Sequence, residues 1–293
     1  MSGISTALDE VTLVLFTTLG PSGAMAYALM ALPLIVRGDA MDSKVRKRLD
    51  QLLCIPVVVA MVGLVASATH LGNPANALYV ISGFGRSPLS NEVVCGAVFL
   101  GVAGVFWLTS FSEGTGRVAA RRVVAAIASV LGLVFVGVIS LAYDASTIVT
   151  WNTPYTPLTT WLNALSGGTL LAICGMRAAR FHTQRHTLGR WLAVASAAAF
   201  AASIAVYVSW GLMLPGMHNA MASASELAPL FWPALAVFSV LGIVALVLGV
   251  RTVSWKGEAP IWIPVASVLL MLAAIFVMRF QFYMIHMTVG VGV

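Results

Sequence analysis

Eight long apolar runs divide this chain, each long enough to cross a lipid bilayer. A helix needs about 20 mostly apolar residues to span the hydrocarbon core. The runs lie near 12–36, 51–71, 92–112, 122–143, 158–179, 191–214, 229–250 and 261–285. Lipid offers no partner for an unpaired backbone N–H or C=O, so spanning elements must be helices or a closed barrel. These runs are too long and too uniformly apolar for barrel strands. Charged residues are only 9% of the 293, against about 25% in a soluble domain. Too few polar side chains remain to cover a water-facing surface of this size. The expected fold is all-α: one membrane-anchored domain over 1–293, a helical bundle with eight transmembrane helices.

The 16 Lys and Arg residues sort by connection. Arg37, Lys44, Arg46, Lys47 and Arg48 follow the first run, and Arg117, Arg121 and Arg122 follow the third. Arg177, Arg180, Arg185 and Arg190 border the loop after the fifth, and Arg251 and Lys256 follow the seventh. Fourteen therefore share one side, with only Arg86 and Arg279 on the other. Cytoplasmic loops carry the excess of basic residues, so both termini are expected outside. The net charge of +6 reflects this topology and does not point to nucleic acid. No Lys or Arg precedes Arg37, which argues against a cleaved secretory signal. Cys54, Cys95 and Cys174 lie scattered in apolar runs and lack the four-thiolate spacing of an iron–sulfur cluster.

Titratable groups gather at the sparsely basic side. His70 ends the second run before Pro74, and Glu92 begins the third after Ser90 and Asn91. An ionisable residue at a span is costly and marks ion, proton or ligand chemistry. His70 is expected in a last helical turn, where the helix dipole favours a cation. Glu92 is expected in a first turn, where it favours an anion. Two plainer readings stay open: an interfacial anchor for His70 and a helix cap for Glu92. Arg279 lies inside the last run, with Tyr283 four and His286 seven residues on, which places them near one helical face. A snorkelling arginine is the alternative. His218, Glu226 and Asp144 lie on the same side. His182 and His186 belong to a basic loop and read as solvated. All histidines fall near a surface, so a haem held between mid-membrane histidines is not expected. A faint echo links Pro21-Ser22-Gly23-Ala24 with Leu165-Ser166-Gly167-Gly168.

The run His70-Leu71-Gly72-Asn73-Pro74 with Leu89-Ser90-Asn91-Glu92 resembles the membrane anchor subunit of bacterial dimethyl sulfoxide reductases. So do Thr150-Trp151, Tyr155-Thr156-Pro157, Gly167-Gly168 and the tail from Phe282 through His286 to Gly290. The resemblance implies eight spans and outward termini in a bacterial inner (plasma) membrane. It implies two partners, an iron–sulfur electron-transfer subunit and a molybdopterin catalytic subunit. It implies menaquinol as bound electron donor, with no haem, iron–sulfur cluster or molybdenum in this chain. His70 matches the family's quinol-site histidine and Glu92 the glutamate of its motif. Asn73 stands where Ser is common and the 75–86 loop diverges, so the terminal acceptor stays open.

Together these readings give an expected function. His70 accepts a quinol hydroxyl proton, and Glu92 orients it or relays the proton outward. Arg279, Tyr283 and His286 shape the pocket, or Arg279 and His286 dock the cluster subunit. A secondary transporter and an inert structural anchor are the rivals. A transporter calls for broken helices and polar groups at mid-membrane.

Overall fold

A computed structural model describes residues 3–37, 41–70, 77–111, 118–181, 187–219, 222–255 and 258–288. Twelve α-helices occur among these residues. They are α1 (Gly3–Asp9), α2 (Val11–Arg37), α3 (Ser43–Leu52), α4 (Cys54–Thr69), α5 (Ala77–Ser82) and α6 (Pro88–Thr109). They continue with α7 (Val118–Ala142), α8 (Tyr155–Ala178), α9 (Thr187–Met213), α10 (Ala224–Leu227), α11 (Phe231–Ser254) and α12 (Trp262–Met284). Extended pairing among the described residues is limited to isolated bridges, Ile148 with Thr288 and His218 with Ser223.

Seven helical stretches are long and apolar enough to cross a membrane. The expected span at 158–179 forms α8, which has the length but not the same apolarity. Its packing explains the difference. Helices α2 and α8 form the centre of the bundle, with α2 against α4, α7, α8 and α12, and α8 also against α9. An element surrounded by protein can carry polar side chains, and α8 buries Thr156, Thr159, Thr160, Asn163, Ser166 and Thr169. The outer helices show the reverse pattern. Val123, Ile127, Val130, Val134 and Leu141 of α7 are exposed, as are Val237, Val240, Ile243, Val247 and Val250 of α11. Apolar groups outside and hydroxyls inside are the signature of a protein dissolved in lipid. Several buried hydroxyls bond back to their own helix. Thr18 Oγ1 donates to the Val14 carbonyl at 2.8 Å and Ser22 Oγ to the Thr18 carbonyl at 2.7 Å.

Small residues let α2 approach its neighbours closely. A Cβ at Gly23 would fall 2.6 Å from the Ala60 backbone nitrogen of α4. One at Gly168 would fall 2.7 Å from Met25 Cβ and 2.9 Å from the Ser22 carbonyl oxygen. The two echoing stretches thus face one another across the α2–α8 contact.

Two helix starts differ from expectation. The second span reaches back to Ser43, because Asp42 Oδ1 accepts hydrogen bonds from Lys44 N and Val45 N at 3.0 and 3.1 Å. Helix α6 is capped by Ser87 with Pro88 in its first turn, not by Ser90 or Asn91. Asn91 instead accepts from Gly85 N through Oδ1 at 2.7 Å. Glu92 consequently lies beyond the first turn, where the dipole's pull on an anion has faded. At the opposite end of the bundle, basic residues tie helices together. Arg121 pairs with Asp50 at 2.9 Å, and Arg122 Nε donates to the Ile35 carbonyl at 2.9 Å.

Candidate functional site

His70 caps the C-terminus of α4, one residue past the helix. Pro74, expected to end that helix, lies outside the described residues, as do His182 and His186. The His70 side chain is 39% exposed, and its Nε2 lies 3.2 Å from Glu10 Oε2. Its carboxylate partner is therefore Glu10, not Glu92. Glu10 sits at the junction of α1 and α2, and α2 runs alongside α4, which brings the start of one helix to the end of the other. Burial raises the Glu10 pKa above the ordinary carboxylate value; nearby His70 lowers it and Asp9 raises it further.

Glu92 occupies a different place. It is 1% exposed, and its Oε2 has no hydrogen-bond partner among the described residues. Tyr143 and Tyr283, which pack edge-on at 6.0 Å, are neighbours of Arg279.

Arg279 is 1% exposed and points into the bundle. Its Nε donates to Thr17 Oγ1 of α2 at 3.0 Å. Its guanidinium carbon lies 4.2 Å from the Phe282 ring centroid, 5.8 Å from Tyr143 and 6.0 Å from Tyr283. The attraction of a cation to aromatic faces offsets part of its desolvation. A side chain so enclosed neither snorkels to a headgroup nor docks a partner subunit, which corrects both of those expectations. Tyr283, fully buried, shares the Arg279 environment as anticipated. His286 does not share their face. The helix ends at Met284, and the exposed His286 ring lies 4.8 Å from Trp151. Partial burial of the imidazole lowers its pKa.

Sequence patches far apart in the chain meet here. Trp151 stacks on Phe282 at 4.5 Å and donates through Nε1 to the Phe282 carbonyl at 2.9 Å. Thr150 Oγ1 donates to the Ile285 carbonyl, and Val149 N to the Met287 carbonyl at 3.0 Å. Tyr143 packs edge-on against both Phe282 and Tyr283. The 143–154 connection is thus a lid of aromatic side chains on the end of α12. Deeper in the bundle, Asn163 Nδ2 donates to the Tyr207 hydroxyl at 2.8 Å.

Asp144, at the start of the 143–154 connection, has a buried Oδ1 with no hydrogen-bond partner among the described residues. Glu226 and Ser223 form a reciprocal cap at the start of α10, and His218 is exposed on a short turn. Among the described residues no group of three or more His, Cys, Asp or Glu side chains is placed to hold a metal ion. Glu10, Thr17 and Tyr143 join the site without having stood out in the sequence. A signal existed for Glu10, an acidic residue one position ahead of the first span.

The DMSO reductase anchor subunit (DmsC) family model matches residues 4–285. The chain belongs to the DmsC family. It is 31% identical over 287 residues to the C subunit of the anaerobic dimethyl sulfoxide reductase of Escherichia coli, covering 97% of each protein. It is 30% identical over 292 residues to the anaerobic dimethyl sulfoxide reductase subunit YnfH of the same organism, again covering 97% of each. The corresponding C subunit of Haemophilus influenzae is 28% identical over 298 residues, covering 99% of each protein. DmsC membership and the membrane-length helices identify a multi-pass membrane protein and do not favour the transporter reading.

Proposed function

We propose that this DmsC-family protein anchors a molybdopterin and iron–sulfur reductase complex, and oxidises menaquinol beneath the outer face of the bacterial inner membrane. In this reading α8 is the fifth of eight spans, both termini lie outside, and electrons pass to the iron–sulfur subunit. The terminal acceptor is dimethyl sulfoxide or a similar compound.

The observation that carries the reading is the state of His70. A quinol surrenders hydroxyl protons as its electrons leave, so its site needs a base within hydrogen-bond reach. It also needs an apolar approach and a route to water. His70 ends an otherwise apolar helix, is partly exposed, and has a carboxylate on one ring nitrogen. Apolar surface accompanies it in the chain: Tyr79 and Ile81 of α5 and the following Phe84 are all exposed. Glu92, buried just beyond the first turn of α6 with an oxygen that has no hydrogen-bond partner among the described residues, is available as a second acceptor. Arg279 holds that interior in place through Thr17 and its aromatic neighbours. The enclosed guanidinium acts on the pocket's field and shape.

The test is His70→Arg in membranes containing the assembled complex. Quinol-dependent turnover should be lost, while reduction of the acceptor by a soluble artificial donor should persist. Unchanged quinol turnover in that variant would refute the assignment.

A further inference from the structure

We infer that Glu10 is the positioning partner of His70 and its proton relay to water, delivered there by docking of helix α1 across the end of the bundle. The inference rests on His70 being the proton acceptor for quinol.

Three observations carry it. First, Glu10 Oε2 lies 3.2 Å from His70 Nε2 and is itself shielded from solvent, while the Glu10 side chain as a whole is 29% exposed. Second, the backbone around Glu10 is fixed from both sides. Glu10 N donates to the Thr6 carbonyl of α1 at 3.1 Å, and the Glu10 carbonyl accepts from Leu13 N and Val14 N of α2 at 2.9 and 3.0 Å. Third, α1 is wedged against the rest of the bundle. Ala7 is fully buried, and Gly3 sits so close to α10 and α12 that a Cβ there would fall 2.0 Å from the Leu227 carbonyl oxygen and 2.7 Å from that of Met284. Only glycine permits that approach. Among the described residues, His70 at the end of α4 and Asp9 in α1 are the charged groups that act on Glu10.

The chemistry follows from the contact. With Nε2 directed at the carboxylate, Nδ1 is the nitrogen left for a quinol hydroxyl. The O–H bond breaks and its proton goes to Nδ1. The carboxylate of Glu10 stabilises the resulting imidazolium, because an opposite charge at this distance favours the charged form. The Nε2 proton then passes to Glu10 and on to water. The second hydroxyl proton goes to Glu92, solvent exchange at the partly exposed imidazole returns the remaining ring proton to Nε2, and the two electrons go to the iron–sulfur subunit. This is the arrangement of a base oriented by a third group.

The experiment compares Glu10→Gln, Glu10→Asp, Gly3→Val and His70→Arg in membranes holding the complete complex. Quinol turnover is measured as a function of pH, and artificial-donor turnover reports assembly. Glu10→Gln is expected to cut quinol kcat by about tenfold to a hundredfold, toward the lower part of what a placed proton acceptor contributes, with KM little changed. It should also shift the acidic limb of the pH profile, since a titrating carboxylate is gone. Glu10→Asp should restore part of both. Gly3→Val should reproduce the Glu10→Gln loss without removing any titratable group. A wild-type rate and pH profile in Glu10→Gln, with turnover lost in His70→Arg, overturns the inference and leaves the function standing. Loss of artificial-donor turnover in Glu10→Gln shows a merely structural role and also overturns it. A wild-type rate in Gly3→Val overturns the part assigned to α1. Persistence of quinol turnover in His70→Arg removes the function and this inference together.

Discussion

Replacing Gly168 with alanine tests the packing on which the whole site depends. The new methyl would lie 2.7 Å from Met25 Cβ, 2.8 Å from Met25 Cγ and 2.9 Å from the Ser22 carbonyl oxygen. Carbon atoms settle at about 3.5–4.0 Å, so roughly 1 Å of separation must open between α2 and α8. Two of the three opposing atoms belong to the backbone of α2 or to its Cβ, and cannot swing away. Overpacking of this kind costs about 1–3 kcal/mol, and rigid opposition puts it near the upper end. Alanine regains about 1 kcal/mol of helix propensity over glycine. The net loss is about 2 kcal/mol, or roughly thirtyfold in the folding equilibrium. Gly101 is the control, because a Cβ there meets nothing within 4 Å. Gly101→Ala should be neutral or stabilising by up to about 1 kcal/mol. Equilibrium unfolding in mixed micelles compares the two. If Gly168→Ala proved as stable as Gly101→Ala, the close approach of α2 and α8 would be wrong. The placement of Thr17 against Arg279 would then fail with it.

Arg279→Met should stay within about 1 kcal/mol of wild type, because removing a buried charge recovers its desolvation cost. Thr17→Val leaves the guanidinium enclosed without its hydroxyl partner and should cost more, roughly 1.5–3 kcal/mol; the reverse order in unfolding titrations would refute the Arg279–Thr17 geometry. His286 responds to pH. Its folded pKa lies below the ordinary 6.5, so the unfolded state takes up the proton first as pH falls. The stability it contributes is complete above 6.5 and is lost as pH drops through the folded value. The protection factor of Val149 N, which donates to the Met287 carbonyl, should fall over that range in wild type but not in His286→Gln.

The long helices are legible because lipid imposes length and apolarity on every span. The bounds of α2, α8 and α12 follow the apolar runs closely, and even α8 stands out despite its threonines. The start of α6 is harder, although Ser87-Pro88 is a cap followed by a first-turn proline; a reading anchored on Glu92 sets the start four residues too late. The partner of His70 escapes for a physical reason. Neighbours in sequence suggest Glu92, but bundle packing sets α2 against α4 and delivers Glu10 from sixty residues away. Arg279 is legible as an anomaly but not in its direction, since helical spacing gives a face without saying what that face meets. The seven-residue spacing to His286 fails because the helix stops at Met284. Contact between Thr150-Trp151 and the chain's tail has no signal in one sequence at all.

The polar, protein-wrapped character of α8 has a consequence for how this protein is made. A segment rich in threonine, asparagine and serine partitions poorly from the insertion machinery into bare hydrocarbon. In the folded bundle α2 and α7, which precede it in the chain, and α9 and α12, which follow it, line the slot that holds it. Helix α8 is thus held by the protein around it, and a chain interrupted before α9 and α12 are made would lack the faces that cover it in the bundle.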